Sequence, residues 1–466
     1  MKNKTMFENI LKNFENCSDF KYYDYSLKTN EDLDIKVCYL DGITSFNEFR
    51  DIFHKQITDA DFEGMNFEKA LGFIGDGLFP NHFAQIVNTA DECAEQILDG
   101  NIAVVSGGSA VILPSKNFER RTISESSGEN IVKGAKDCFI ENLRANTSLV
   151  RYRLKNPALK ILEAEAGREF KTKVAIIYLS DKTDKRIVKE VEKRLKAINT
   201  TGVLSIGVIE EALTGRPYRL FPQTLFTERS DKFCSHIVEG RVGIIADGFP
   251  TALVIPVTLN MFMQAPEDFS SKAVFGTMLR ILRYAGMFLA LVIPAYYIAI
   301  AAFHQEMMPL KLAIAITQSK TNVPLPTALE VLFMLFAFEL LLEASYRIPK
   351  SIGQAVSIVG ALVVGNAAVA ASLISPAVLV VIAIAAIAGF AIPNPDVYNA
   401  VRIWRIILVL LTFIGGIYAL LLGLILFLNS LAKIEMFSVA YLTPYTSKAK
   451  DVLKGDSIVR MPFEKR

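Results

Sequence analysis

The chain has 466 residues, 52% of them apolar and 21% charged, with 50 lysines and arginines against 48 acids for a formal net charge of +2. That near-balance excludes the strongly basic surface on which non-specific nucleic-acid binding depends, so no nucleic acid is expected. The apolar share is too high for one ordinary soluble domain, and the charge is too high for a pure membrane bundle.

Residues 1–20 carry Lys2, Lys4, Glu8, Lys12, Glu15 and Asp19 through their only apolar stretches, which leaves no place for a signal-peptide core. The five cysteines are odd in number, lack a CxxC pair and all precede the most apolar region, the pattern of reduced thiols on the cytoplasmic side. After an N-terminal segment, 1–30, the chain repeats itself. Residues 35–40 (IKVCYL) and 174–179 (VAIIYL) are apolar runs of strand type, each followed by a helical pattern, with Tyr39 and Tyr178 offset by 139. Residues 98–113 resemble 238–255, with Gly100 and Gly240 offset by 140 and Pro114 and Pro256 closing both units. In each copy a helix ends at an acidic-Gly turn, an extended run follows, a Gly-containing turn reverses it, and a second run ends at proline. The spacing predicts two copies of one α/β lobe, 31–125 and 161–270, joined by a helical connector over 126–160. The polar, Ser-rich residues 119–130 read as a mobile loop.

An all-α transmembrane domain is expected over 271–432, because residues 284–395 hold only eight charges (Glu306, Lys311, Lys320, Glu330, Glu339, Glu343, Arg347 and Lys350). Residues 284–303 supply 20 positions without a charge, interrupted by Pro294, enough for one kinked span. In 327–346, nine Val, Leu and Phe between positions 331 and 342 contribute about 3–5 kcal/mol to insertion. One acid near the helix centre costs about 3 kcal/mol, so this helix needs neighbours that receive Glu339. Residues 351–395 read as a hairpin bent at Ser375-Pro376, and 406–432, uncharged and preceded by Arg402 and Arg405, as a last span. Simple counting gives five crossings. The positive-inside rule instead puts Lys272, Arg280 and Arg283, Arg347 with Lys350, Arg402 with Arg405, and the basic tail 433–466 all in the cytoplasm. Count and rule differ by one crossing. Of the four to five spans one is therefore expected to be re-entrant, 309–318 or half of 351–395, leaving the N- and C-terminal regions both cytoplasmic.

Gln354, Ser357, Ala361, Gly365, Ala368 and Ser372 follow spacings of 3, 4, 4, 3 and 4 and form one stripe of small or polar residues on a helix. Repeated around a ring, such a stripe lines a wet path; alternatively, small residues let membrane helices pack closely. Glu339 and Glu343 share a helix face, with Glu330 about 180° away. Glu339 reads as an ion-path group, and Glu343 as an interfacial partner of Arg347 one turn on. His304 beside Glu306 is either a protonation gate or an interfacial hydrogen-bonder. The four histidines and five cysteines form no metal-spaced cluster, and there is no GxSxG and no GxGxxG around Gly107-Gly108. Neither an enzyme nor a cofactor is expected.

The run Phe139, Glu141-Asn142-Leu143-Arg144, Asn146, Leu149, Arg151 and Arg153 resembles the GerA family of spore germination proteins, specifically its A subunit. So do Phe221-Pro222-Gln223, Thr227-Glu228-Arg229, Glu239-Gly240-Arg241, Asp247-Gly248 and Ala265-Pro266-Glu267-Asp268-Phe269. In the apolar region Phe303-His304, Glu306, Pro309, Arg347-Ile348-Pro349 and residues 352–360 match as well. The resemblance implies a multi-pass subunit of a nutrient germinant receptor in the spore inner membrane, among membrane lipid, working with a transporter-like B subunit and a C-subunit lipoprotein. It further implies a homo-oligomeric ring, a pentamer, that conducts ions and triggers germination. A SpoVAF-type accessory paralogue and a non-conducting scaffold that clusters receptors are the alternatives. Where the family usually has Arg, Gly and Gln-Ala-Ala-Val-Glu, this chain has Leu342, Ser345 and Asn366-Ala367-Ala368-Val369-Ala370, so the acid at the last position is lost.

Overall fold

Among the described residues, short runs bounded by turn residues form ten strands in two five-stranded sheets, besides a two-residue hairpin pair at Glu435–Met436 and Val439–Ala440. β1 (Phe20–Ser26), β2 (Asp34–Leu40), β3 (Gln85–Val87), β4 (Ile102–Ser106) and β5 (Ser109–Leu113) take the order β1-β2-β4-β5-β3. β6 (Leu159–Ala166), β7 (Thr172–Leu179), β8 (Leu225–Thr227), β9 (Val242–Ala246) and β10 (Ala252–Ile255) take β6-β7-β9-β10-β8. Shifted by five, the two orders are the same, and the strands pair antiparallel throughout. This computed structural model describes residues 6–26, 34–46, 50, 85–115, 137–215, 218–347, 365–445 and 458–460. The expected loop at 119–130 lies outside them. The chain divides into two units, Met1–Pro217 with Thr224–Pro256, and Tyr218–Gln223 with Val257–Arg466.

In the first unit the helices are α1 (Met6–Asn13), α2 (Ala90–Leu98), α3 (Leu143–Arg153), α4 (Lys185–Lys196), α5 (Ile206–Thr214) and α6 (Ser230–Val238). The first lobe starts upstream of residue 31. β1 pairs with β2 along its whole length, and Met6, Ile10 and Phe14 are buried in one core with Cys38, Leu40, Cys93 and Ile97. The four-residue spacing of these three residues gives the N-terminal segment an apolar face, and the lobe is incomplete without it. The internal repeat extends to backbone detail. Gly100 and Gly240 have φ of 86° and 87°, which glycine adopts without strain, and their N–H groups donate to Ile97 O and Ile237 O. Each closes the helix before a fully buried strand, β4 or β9.

The second unit is helical. After single turns at Leu259–Met263 and Pro266–Ser270 come α7 (Ala273–Ile298, extended by a wide turn through Phe303), α8 (Leu310–Lys320), α9 (Thr327–Arg347), α10 (Pro376–Phe390) and α11 (Pro395–Ala432). Among the described residues two stretches are long and apolar enough to cross a bilayer, Ala273–Phe303 with 31 residues and Pro395–Ala432 with 38. α7 and α10 meet backbone to backbone: a Cβ built on Gly286 would stand 2.9 Å from the Ala388 carbonyl oxygen, so only glycine permits the approach. Far along the chain, Arg460 returns to the base of α7. Its N–H donates to Thr277 Oγ1 at 3.0 Å, and its guanidinium bonds the Ser271 carbonyl.

α11 is not one rod. Gly415 and Gly416 leave the helical region, the latter at φ 57° and ψ −140°, a conformation open essentially to glycine alone. Beyond them the chain doubles back. The Trp404 and Phe427 rings lie 5.4 Å apart, where a straight helix would separate them by about 35 Å. A Cβ on Gly423 would fall 2.5 Å from Leu408 Cδ2. The stretch 406–432, expected as a single span, is thus the greater part of two antiparallel arms, 395–414 and 417–432. Hydropathy averages over the turn because Gly415 and Gly416 are uncharged; the adjacent glycines were its only mark in the sequence.

Candidate functional site

In the first unit the motif residues of the connector converge on α3. Asn142 caps the helix by accepting from the Ala145 N–H at 3.0 Å, as an Asn at that position does. Asn146 accepts from Ile140 N and donates to Ile140 O. Arg144 reaches Asp41 of the first lobe at 3.3 Å and Glu163 of the second at 3.2 Å. Arg151 is buried and grips Asp19 with two parallel bonds of 3.0 and 2.9 Å, while its third nitrogen donates to Leu159 O. Arg153 holds Asp137, which also accepts from Ser230. Burial alone would raise the Asp137 carboxyl, but the Arg153 guanidinium holds it below the usual carboxylate range. These side chains form the joint between the two lobes, a structural role that the sequence pattern did not disclose.

Among the described residues of the lobes, no buried cysteine is a reactive nucleophile. Burial raises the thiols of Cys38, Cys93 and Cys234, the last two to about 12, which makes them inert at neutral pH. Among the described residues no three His, Cys, Asp or Glu are grouped to hold a metal ion.

The second unit carries charge inside its helices. At the base of α7 the fully buried Asp268 accepts from Arg280 at 3.1 Å, Arg283 at 2.6 Å and the Ala265 N–H at 3.1 Å. Phe221 stacks its edge on Phe427 and lies beside Tyr441. Glu339 of α9 is paired with two arginines of α11: Arg402 binds it through both Nε, at 3.1 Å, and Nη2, and Arg405 through Nη2 at 3.1 Å. Arg402 also donates to Asn399 and lies over the Tyr398 ring. The arginines that read as cytoplasmic flanks are therefore the neighbours Glu339 needs. A buried or half-buried acid paired with guanidinium is far cheaper than one facing lipid.

Gln354, Ser357 and Ala361 lie outside the described residues. Gly365 and Ala368 are buried; a Cβ on Gly365 would stand 3.1 Å from Leu379 of α10, so this end of the stripe is taken up by packing within the chain. Ser372 turns the chain at φ 54°. His304 Nδ1 is 3.4 Å from Glu306 Oε1 and its ring edge meets Tyr418. Glu343 is exposed, and the Arg347 side chain is outside the described set. Glu330, which sequence reasoning left aside as lying on the far face from Glu339, is fully buried. Its partners come from residues 320 and 375, a proximity no local pattern announces.

A duplicated α/β region followed by apolar, internally charged helices defines the class. A family model described as Bacillus/Clostridium GerA spore germination protein matches residues 8–466. The uncharacterized membrane protein YfkQ of Bacillus subtilis (strain 168) is 34% identical over 468 residues, covering 99% of this chain and 89% of that one. Spore germination protein KA of the same strain is 33% identical over 450 residues, covering 96% and 82%. Spore germination protein GerLA of Bacillus cereus is 33% identical over 380 residues, covering 82% and 76%. The crystal structure of the N-terminal domain of the A subunit of the Bacillus megaterium spore germinant receptor GerK3 overlaps 54% of this chain and 92% of that one at 23% identity, with a TM-score of 0.43. This chain belongs to the GerA family of spore germination proteins.

Proposed function

We propose that this chain is the A subunit of a nutrient germinant receptor in the spore inner membrane. In this reading copies of the chain assemble into a ring, a pentamer, which passes cations when a transporter-like B subunit takes the nutrient, with a C-subunit lipoprotein completing the receptor. The observation that carries it is the family match over residues 8–466, which spans the helical unit as well as the lobes. The fold at Gly415-Gly416 supports a matching topology. The turn adds one crossing to the five of simple counting, and six crossings return the chain to its starting face. The lobes and the basic tail then share the cytoplasm, as the positive-inside rule requires. A segment of only 11 residues such as α8 is too short to add a seventh.

The test is flux. The chain is co-reconstituted with B and C subunits in potassium-loaded liposomes, and nutrient is added. Nutrient-dependent efflux is the expected result. Absence of efflux from an assembled receptor that binds its nutrient overturns conduction and leaves the scaffold. Native mass of the detergent-solubilised complex tests the ring separately: five copies are expected, and a monomer ends it.

A further inference from the structure

Glu330, in the first turn of α9, points its two carboxylate oxygens at different things. One accepts the Ser375 backbone N–H at 2.8 Å. The other, Oε1, is 3.6 Å from Nζ of Lys320 at the end of α8, longer than the roughly 2.7–2.9 Å of a charge-assisted hydrogen bond, and has no hydrogen-bond partner among the described residues. The Ser375 and Tyr297 hydroxyls are likewise buried and, though close enough to each other to interact, make no hydrogen bond of normal geometry among the described residues; Glu330 and Ser375 are both 0% exposed. Lys320 Nζ donates to Thr327 Oγ1 and lies 5.7 Å from the centroid of the Tyr297 ring. The Lys320 ammonium thus faces one carboxylate oxygen and one hydroxyl, with two further buried hydroxyls beside that carboxylate, and three of these oxygens lack a hydrogen bond of normal geometry among the described residues. That is unusual for buried polar atoms, which normally all find partners.

We propose that these oxygens form a binding site for a monovalent alkali cation, and that Lys320 is a tethered competitor whose ammonium occupies it. The donor set is all oxygen, the preference of hard cations, and carries one negative charge; sites for divalent ions collect more carboxylates. Glu330 Oε1, Ser375 Oγ, Tyr297 Oη and Thr327 Oγ1 become the ligands. The exchange is balanced in charge: one cation enters as one ammonium leaves, with no proton transferred. Only Lys320 has a route out. Its side chain is 20% exposed while that of Glu330 is 0% exposed, and its flexible stem lets the charged end swing to water. Glu339 makes no such site, because two guanidiniums already occupy its oxygens. The proposal concerns binding and holds whether or not a ring of these chains conducts.

The experiment uses the full chain in lipid nanodiscs, with KCl replaced stepwise by choline chloride at constant ionic strength, and brief acetic anhydride labelling read by mass spectrometry. Acetylation of Lys320 is expected to rise several-fold and saturably with potassium, while the exposed Lys185 stays constant. Equal labelling of Lys320 in potassium and choline overturns the proposal and makes the contact an ordinary salt bridge. In Lys320→Met the competitor is gone, so the melting midpoint is expected to rise with KCl and radioactive rubidium to bind at one ion per chain; adding Glu330→Gln removes both effects. A Lys320→Met protein indifferent to potassium overturns the proposal, and if that variant does not fold, the labelling of the unaltered chain decides.

Discussion

The two units bury charge in opposite ways. In the lobes, Arg151 and Asp19 are 1% and 4% exposed and fully matched, two planar groups bonded side by side with the spare guanidinium nitrogen on a carbonyl. In the helical unit, Glu330 keeps an unpartnered oxygen, and Arg405 Nε has no partner among the described residues. A planar fork on a carboxylate fixes one geometry; an ammonium on a flexible stem leaves its surroundings free to take another cation. The first arrangement makes a joint and the second a place where exchange can occur.

The sharpest way to break this contrast is at the joint. Asp19→Ala strands a buried guanidinium and is expected to cost about 3–5 kcal/mol, seen as a matching drop in the denaturant midpoint at which Cys38 becomes reactive to a maleimide. An unchanged midpoint would make the pair dispensable. Next comes the turn of α11. Gly416→Val forces a β-branched residue into φ 57°, worth about 1–3 kcal/mol in backbone strain, and drives it into the Phe303 ring, 2.9 Å from a Cβ at that position. The readout is a disulfide between Leu408→Cys and Gly423→Cys: it forms readily in the folded-back arms and falls in yield when Gly416→Val is added, whereas an unbroken helix would never form it. Glu339→Gln is smaller, about 1–3 kcal/mol, because Arg402, whose side chain is 18% exposed, can turn toward water while Arg405, 1% exposed, is stranded; thermal unfolding in nanodiscs measures it.

The smallest effect is a pH slope. Burial pushes the His236 imidazole below its ordinary value, against the pull of Glu239 at 3.2 Å. The unfolded chain then takes up the proton before the folded one, so the stability His236 lends is complete above about pH 6.5 and declines below it, by at most about 1.4 kcal/mol per pH unit. His236→Gln is expected to flatten the unfolding midpoint between pH 7 and 5.5. A slope that survives the substitution assigns it to other groups.

The duplicated lobe was legible because its marks are local: an acidic-Gly turn recurs at Gly100 and Gly240, and apolar runs of five residues sit between turns. The three-residue edge strands β3 and β8 are too short to show a period, and β1 gives no signal of its own because its polar and aromatic residues alternate without a matching repeat elsewhere in the chain. In the helical unit, composition revealed apolar segments but could not reveal which face meets which. Arg402 and Arg405 read as topology signals, although they pair with an acid 63 and 66 positions earlier. Glu330 seemed idle because its partners come from two other segments.

The docking of Arg460 on Thr277 ties events in time. The two residues are 183 positions apart, and at a synthesis rate of about 5–20 residues per second the ribosome needs roughly 10–40 s to travel between them. Throughout that interval the base of the first apolar helix waits unclasped, so this end of the molecule closes only after translation has passed the whole of the helical unit.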